Sequence, residues 1–153
     1  MYAIKYETPD GKRYYRAPNS RDIENEKKVH DIVAEHFMEW QLKGLVPTMA
    51  IEPGYNTDQL IRERGWGFWH QLFNARQILT NSLLVKYSSV FNSVLCGTVA
   101  LLGINKAISF NSRLSLWASP SGVEKPVWLF TNQALNTLFN YGCSALCTIS
   151  NCW

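Results

Sequence analysis

Residues 54–83 read GYNTDQLIRERGWGFWHQLFNARQILTNSL, a passage that begins as loop and ends as helix. Pro53-Gly54 punctuates the chain, and Asn56-Thr57 supplies short polar side chains able to bond nearby backbone. An aromatic cluster with small spacers follows: Trp66, Gly67, Phe68 and Trp69, then Leu72 and Phe73. Asn74 with Gln77 three residues on has the spacing of a helix-capping box. Behind it Ala75, Ile78, Leu79, Leu83 and Tyr87 recur at helical spacing. An aromatic cluster directly before a capped helix start fixes where that helix enters the fold.

Upstream of this passage, Leu45 to Asn56 reads as a loop with Pro47 and Pro53, and Asp58 to Arg64 as one or two helical turns. Before the loop, a helix is expected from about Arg21 to Lys43, capped by Asn19 or Ser20 and stopped by Gly44. Val29, Ile32, Val33, Phe37 and Trp40 form its apolar stripe. Asp22, Glu24, Glu26, Lys27, Lys28, Asp31, Glu35 and Glu39 form a solvated face. Residues 2–17 read as a β-hairpin that turns at Pro9-Asp10-Gly11. An isolated hairpin is marginal in water, so this one is expected to pair with further strands or to pack on a helix.

Downstream, Ser88-Ser89 breaks the pattern, and a second helix is expected from about Val90 to Phe110. It is apolar on nearly every side, which predicts a central place in the core. The run Val90 to Ile104 falls short of the ~20 apolar residues that a membrane-spanning helix requires. A turn follows at Pro120-Ser121-Gly122. The fold class expected is mainly α with a short N-terminal β-hairpin (α+β), with residues 1–18 as hairpin and 19–153 as helical segment.

At 153 residues the chain suits one domain or a piece of a larger one. Hydrophobic content of 46% against 18% charged is globular. The net charge of +3 is too small to argue nucleic-acid binding by itself. Residues 1–45 are balanced in charge, so the excess lies beyond them. With Lys5, Glu7 and Asp10 interrupting the start, no signal peptide is read, and a cytoplasmic protein with reduced thiols is expected. Cys143, Cys147 and Cys152 offer three thiols without a clear fourth zinc ligand, and His30, His36 and His70 are scattered.

Pro53-Gly54-x-Asn56-Thr57 followed by Trp69-x-x-Leu72-Phe73-x-x-Arg76-Gln77 resembles the middle of a family of large bacterial and archaeal proteins. Those proteins are grouped around a domain of unknown function and read as adenine-specific DNA methyltransferases. Many members carry Asp where this chain has Gln71. The likeness recurs at Asn111-Ser112-Arg113-Leu114 with Trp117. It recurs again from Phe130 to Gly142, where Asn132-Gln133-Ala134-Leu135-Asn136-Thr137-Leu138 is similar to a family element. The resemblance implies that members carry a zinc-ribbon-like segment and an S-adenosylmethionine region upstream of this stretch, and a catalytic loop downstream. This chain would then be a fragment of a larger α/β methyltransferase, without a cofactor of its own. Its expected partners are DNA, through the parent protein, and the remaining methyltransferase domains. Surfaces meant for those domains would favour self-association of the isolated piece.

An adenine methyltransferase needs a Gly-rich turn after a strand for the cofactor. It also needs an Asp/Asn-Pro-Pro-Tyr/Phe loop to hold the flipped base. No two prolines are adjacent in this chain, and Gly65-Trp66-Gly67 has the wrong context, so no catalytic residue is assigned. The sharper hypothesis is contact with DNA. Arginines bind phosphates or guanine edges, and aromatic rings stack on splayed bases. The candidates are Arg62, Arg64, Trp69, Arg76, Gln77, Asn111, Arg113 and Gln133. The competing reading makes the aromatics core and lets the arginines cap helices or pair with Glu63. A helical interaction module without any nucleic-acid role is the alternative function.

Overall fold

The computed structural model describes residues 3–118 and 125–127. Its architecture is mainly α with a short N-terminal hairpin. Strands β1 (Ile4–Glu7) and β2 (Arg13–Arg16) pair antiparallel, with Ile4 opposite Arg16 and Tyr6 opposite Tyr14. The turn closes through Thr8 N–H to the Lys12 carbonyl at 2.9 Å and Gly11 N–H to the Thr8 carbonyl at 2.8 Å. Gly11 has φ +78°, a conformation that glycine adopts without the penalty a Cβ brings. The rings of Tyr6 and Tyr14 stack 5.4 Å apart. Among the described elements the two strands pair only with each other; all of β2 is exposed, and Ile4 and Tyr6 of β1 are half-buried. Cross-strand rings and the closed turn are what hold this ribbon.

Helix α1 (Ser20–Leu42) starts at a reciprocal cap. Asn19 Oδ1 accepts from Asp22 N–H at 3.0 Å, and Asp22 accepts from Asn19 N–H at 2.9 Å. It stops before Gly44, whose φ is +70°. Only Val33 of the expected stripe is fully buried; Val29, Phe37 and Trp40 are half-buried, and Ile32 is exposed. Helix α2 (Asp58–Arg64) ends at Gly65, φ +67°. A 3-10 turn, Trp69–Leu72, leads into α3 (Ala75–Ser88). The Asn74–Gln77 box is formed in both directions, each bond 2.9 Å. Helix α3 packs on α1 and on α4 (Val94–Phe110). Beyond α4, β3 (Leu116–Ala118) and β4 (Lys125–Val127) form a second antiparallel ladder. The expected turn at Pro120-Ser121-Gly122, the block from Phe130 to Gly142, and Cys143, Cys147 and Cys152 lie outside the described residues.

Three sequence expectations about α3 and α4 need correction. First, α4 begins at Val94, not Val90, because Ser93 is its N-cap and its Oγ accepts from Cys96 N–H. Second, α4 is not central. Val94 is 88% exposed, Leu95 73% and Leu102 64%, while only Ile104 and Ala107 of the helix are buried. Third, the buried residues of α3 are Gln77, Asn81, Ser82 and Ser88, whereas Leu83 and Tyr87 of its apolar stripe are exposed.

Gly97, Ala100, Ile104, Ala107 and Asn111 follow one another at alternating steps of three and four, as do Gln77, Asn81, Leu84 and Ser88 on α3. Every one of these positions is buried or half-buried. On α4 the buried positions Ile104 and Ala107 share this line with Asn111, and Val94, Leu95 and Leu102 lie off it and are exposed.

Candidate functional site

The hydrophobic core is small and lies beneath the loop passage: Ile51, Leu60, Trp66, Leu72 and Leu114, with Ile61, Trp69 and Phe73 packed against it. Each piece of the Pro53–Gln77 passage is tied down locally. Thr57 Oγ1 donates to the Glu52 carbonyl at 2.6 Å, and Asp58 Oδ1 accepts from Gly54 N–H at 2.9 Å. The Pro-Gly-x-Asn-Thr loop is therefore a turn clamped by its own side chains. Ile51 N–H donates to the Gly67 carbonyl at 2.8 Å and Trp69 N–H to the Met49 carbonyl at 3.2 Å, which fixes the loop against the aromatic cluster. Gln71 Oε1 accepts from both Gly67 N–H (2.8 Å) and Phe68 N–H (3.0 Å). A side-chain oxygen is what this position requires, and glutamine supplies it without charge.

Arg113 joins this passage from the far side of the chain. Its N–H donates to the Leu72 carbonyl at 2.8 Å, its Nη1 to the Gln71 carbonyl at 3.2 Å, and its guanidinium lies over the Trp66 ring at 5.3 Å. A cation held face-on to an indole gains on the order of 1 kcal/mol. Asn111 is buried and its Nδ2 donates to the Ala107 carbonyl at 2.9 Å, closing the last turn of α4. Ser115 Oγ donates to the Phe110 carbonyl at 2.9 Å. The buried Ser112–Ser115 turn thus anchors Arg113 where it meets Trp66.

The candidate DNA contacts sort into two groups. Arg76 is half-buried and its Nε donates to Glu26 Oε2 at 2.9 Å, with Nη2 bonded to the same oxygen. The partner is Glu26 of α1, not Glu63. Gln77 is wholly buried in its capping box, and Trp69 is half-buried against the core. With Asn111 and Arg113, these residues hold the fold. Arg62 and Arg64 are exposed on the last turn of α2, where Arg62 lies 3.8 Å from Glu63. Gln133 lies outside the described residues. Sequence reasoning passed over Tyr55, which is 99% exposed in the turn that precedes α2. An aromatic ring at a turn tip, next to a helix with two arginines, was the signal for it.

Among the described residues, Glu39 and Asp10 have perturbed carboxylates. Glu39 is held below the ordinary range by its bond to the Lys43 ammonium and, secondarily, by His36, whose Nδ1 is 3.1 Å away. Asp10 is lowered by the Thr8 hydroxyl and then by Lys12. Both carboxylates are solvated and stand far from the aromatic passage in sequence. Among the described residues no three His, Cys, Asp or Glu side chains are placed to hold a metal ion. Gly65-Trp66-Gly67 links the end of α2 to the 3-10 turn and follows no parallel strand, so it does not fit a cradle for S-adenosylmethionine. Among the described residues no helix is long and apolar enough to cross a membrane. Comparison with protein-family models, with curated proteins and with solved structures yields no match.

Proposed function

We propose that this chain is the central, non-catalytic segment of an S-adenosylmethionine-dependent, adenine-specific DNA methyltransferase. In the parent protein it packs between the cofactor half and the catalytic loop, and α2 offers a grip on DNA. What carries the reading is the meeting of Arg113 with Leu72, whose carbonyl accepts from the Arg113 N–H at 2.8 Å. The two blocks of sequence quoted for the family resemblance are joined there in space, as parts of one framework would be. The outward aliphatic face of α4 supports a place within a larger body, because an uncovered face of that kind favours association. No methyl-transfer step is assigned to these residues.

The test is methyl transfer from labelled S-adenosylmethionine to adenine in DNA by the product of the complete reading frame that encodes this chain. Transfer is expected, and it should be lost when residues 54–83 are deleted. A complete product that methylates no adenine overturns the reading. DNA contact through α2 predicts that removing both charges, Arg62→Ala with Arg64→Ala, lowers the slope of log affinity against log salt by about 2. The helical interaction module without a nucleic-acid role is favoured by one observation, the inward engagement of Arg76 and Arg113. It predicts DNA affinity indifferent to Arg62 and Arg64.

A further inference from the structure

A groove of about 680 Å³ opens between the C-terminal ends of α1 and α3 and the first turns of α4. Its apolar lining is Trp40 and Leu45 on one side, Val85 from α3, and Phe91, Val94 and Leu101 on the other, and hydroxyl and amide side chains such as Ser88, Asn92 and Thr98 stand between them. Phe91, Val94 and Leu101 are all exposed. The charge along its rim is positive and unevenly met. Lys43 is held by Glu39, whereas Lys86 makes no ion pair among the described residues. The first turn of α4 contains no acidic residue, so the positive end of its dipole has no local counter-charge. Beyond Glu63 the sequence has one acidic residue, Glu124. A second α4 from another copy would bring no carboxylate either.

The geometry points to a partner helix, apolar along one stripe and acidic at the end that lies over Lys86 and the first turn of α4. Leu-sized side chains of such a helix would fill the space between Trp40 and Leu101. Its carboxylate would meet Lys86, which makes no ion pair among the described residues. This deepens the reading of the chain as one part of a larger body and rests on that reading.

Two synthetic helices of about 18 residues, long enough to hold helical structure when docked, test it directly. Both are built from Leu, Ala and Gln with a single Leu stripe, and they differ in ending with Glu-Glu or with Lys-Lys. Titrated into the purified chain, the acidic-ended peptide should bind about ten-fold more tightly. Lys86→Glu should reverse the preference. Val94→Asp should abolish binding of both peptides while leaving the helical circular dichroism unchanged, since Val94 is exposed. Equal affinities, no binding by either peptide, or a preference that survives Lys86→Glu overturns the proposal. So does a dimer in sedimentation that Leu101→Asp dissolves and Lys86→Glu leaves intact, which would assign the groove to a second copy. The peptide preference does not involve DNA. Its presence without methyl transfer would sink the methyltransferase reading alone, and its absence with methyl transfer would sink the groove alone.

Discussion

The guanidinium of Arg76, in the first turn of α3, lies on the carboxylate of Glu26 in α1, 50 residues away in sequence. It ties the two packed helices near their N-terminal ends with a side chain that composition alone would offer to a phosphate. The pair is about one-third exposed, 35% for Arg76 and 29% for Glu26, so solvent screens part of its energy.

Arg76→Met or Glu26→Gln should each cost about 1 kcal/mol, with a coupling of about 0.5–1 kcal/mol in the double-mutant cycle. Urea unfolding of the four proteins measures it. Additive effects would mean that the contact contributes nothing in solution.

Gln71 makes a prediction about chemical type. Its amide oxygen receives two backbone N–H groups at the start of the 3-10 turn. Gln71→Leu leaves both donors without that acceptor and should destabilise the chain by about 1–3 kcal/mol. Gln71→Glu keeps an acceptor at the same reach and should cost less than half as much. Thermal unfolding ranks them, and equal losses would refute a role as acceptor.

Arg113→Lys tests whether the planar guanidinium matters or only its charge. A lysine keeps the charge but not the fork that reaches the Gln71 carbonyl while covering Trp66. A loss of about 1–2 kcal/mol is expected, together with a changed near-ultraviolet signal from Trp66. An unchanged spectrum and unchanged stability would remove Arg113 from the framework.

Glu39 carries the pH dependence. Its carboxyl is lowered by Lys43 first and His36 second. A depressed carboxylate adds stability above its unfolded pKa and loses it as pH falls through the lowered folded value. The contact at the end of α1 should therefore be intact at neutral pH and fade only in acid, below the usual carboxylate range. Carbon-detected NMR titration of Glu39 should show the low midpoint, and Lys43→Met should raise it. An ordinary midpoint in the unmutated chain would show that the pairing does not persist.

The sequence by itself determined what depends on neighbours a few residues apart. Asn74 with Gln77 caps α3 where the spacing predicts, and Asn19, one of the two caps the sequence offers for α1, closes a reciprocal pair with Asp22. Gly11, Gly44 and Gly65 take the positive φ values that end a strand or a helix. Such bonds form within one turn of chain, so residue type and spacing suffice. The clamp at Thr57 and Asp58 belongs to the same local class. Only the tertiary structure decided which face of α4 goes inward, because a helix apolar on nearly every side carries no stripe that marks the buried one. Likewise it alone matched Arg76 to Glu26 and Arg113 to Trp66, since charge and aromaticity name the possible partners but only the packing of α1, α3 and the post-α4 turn brings one of them within reach.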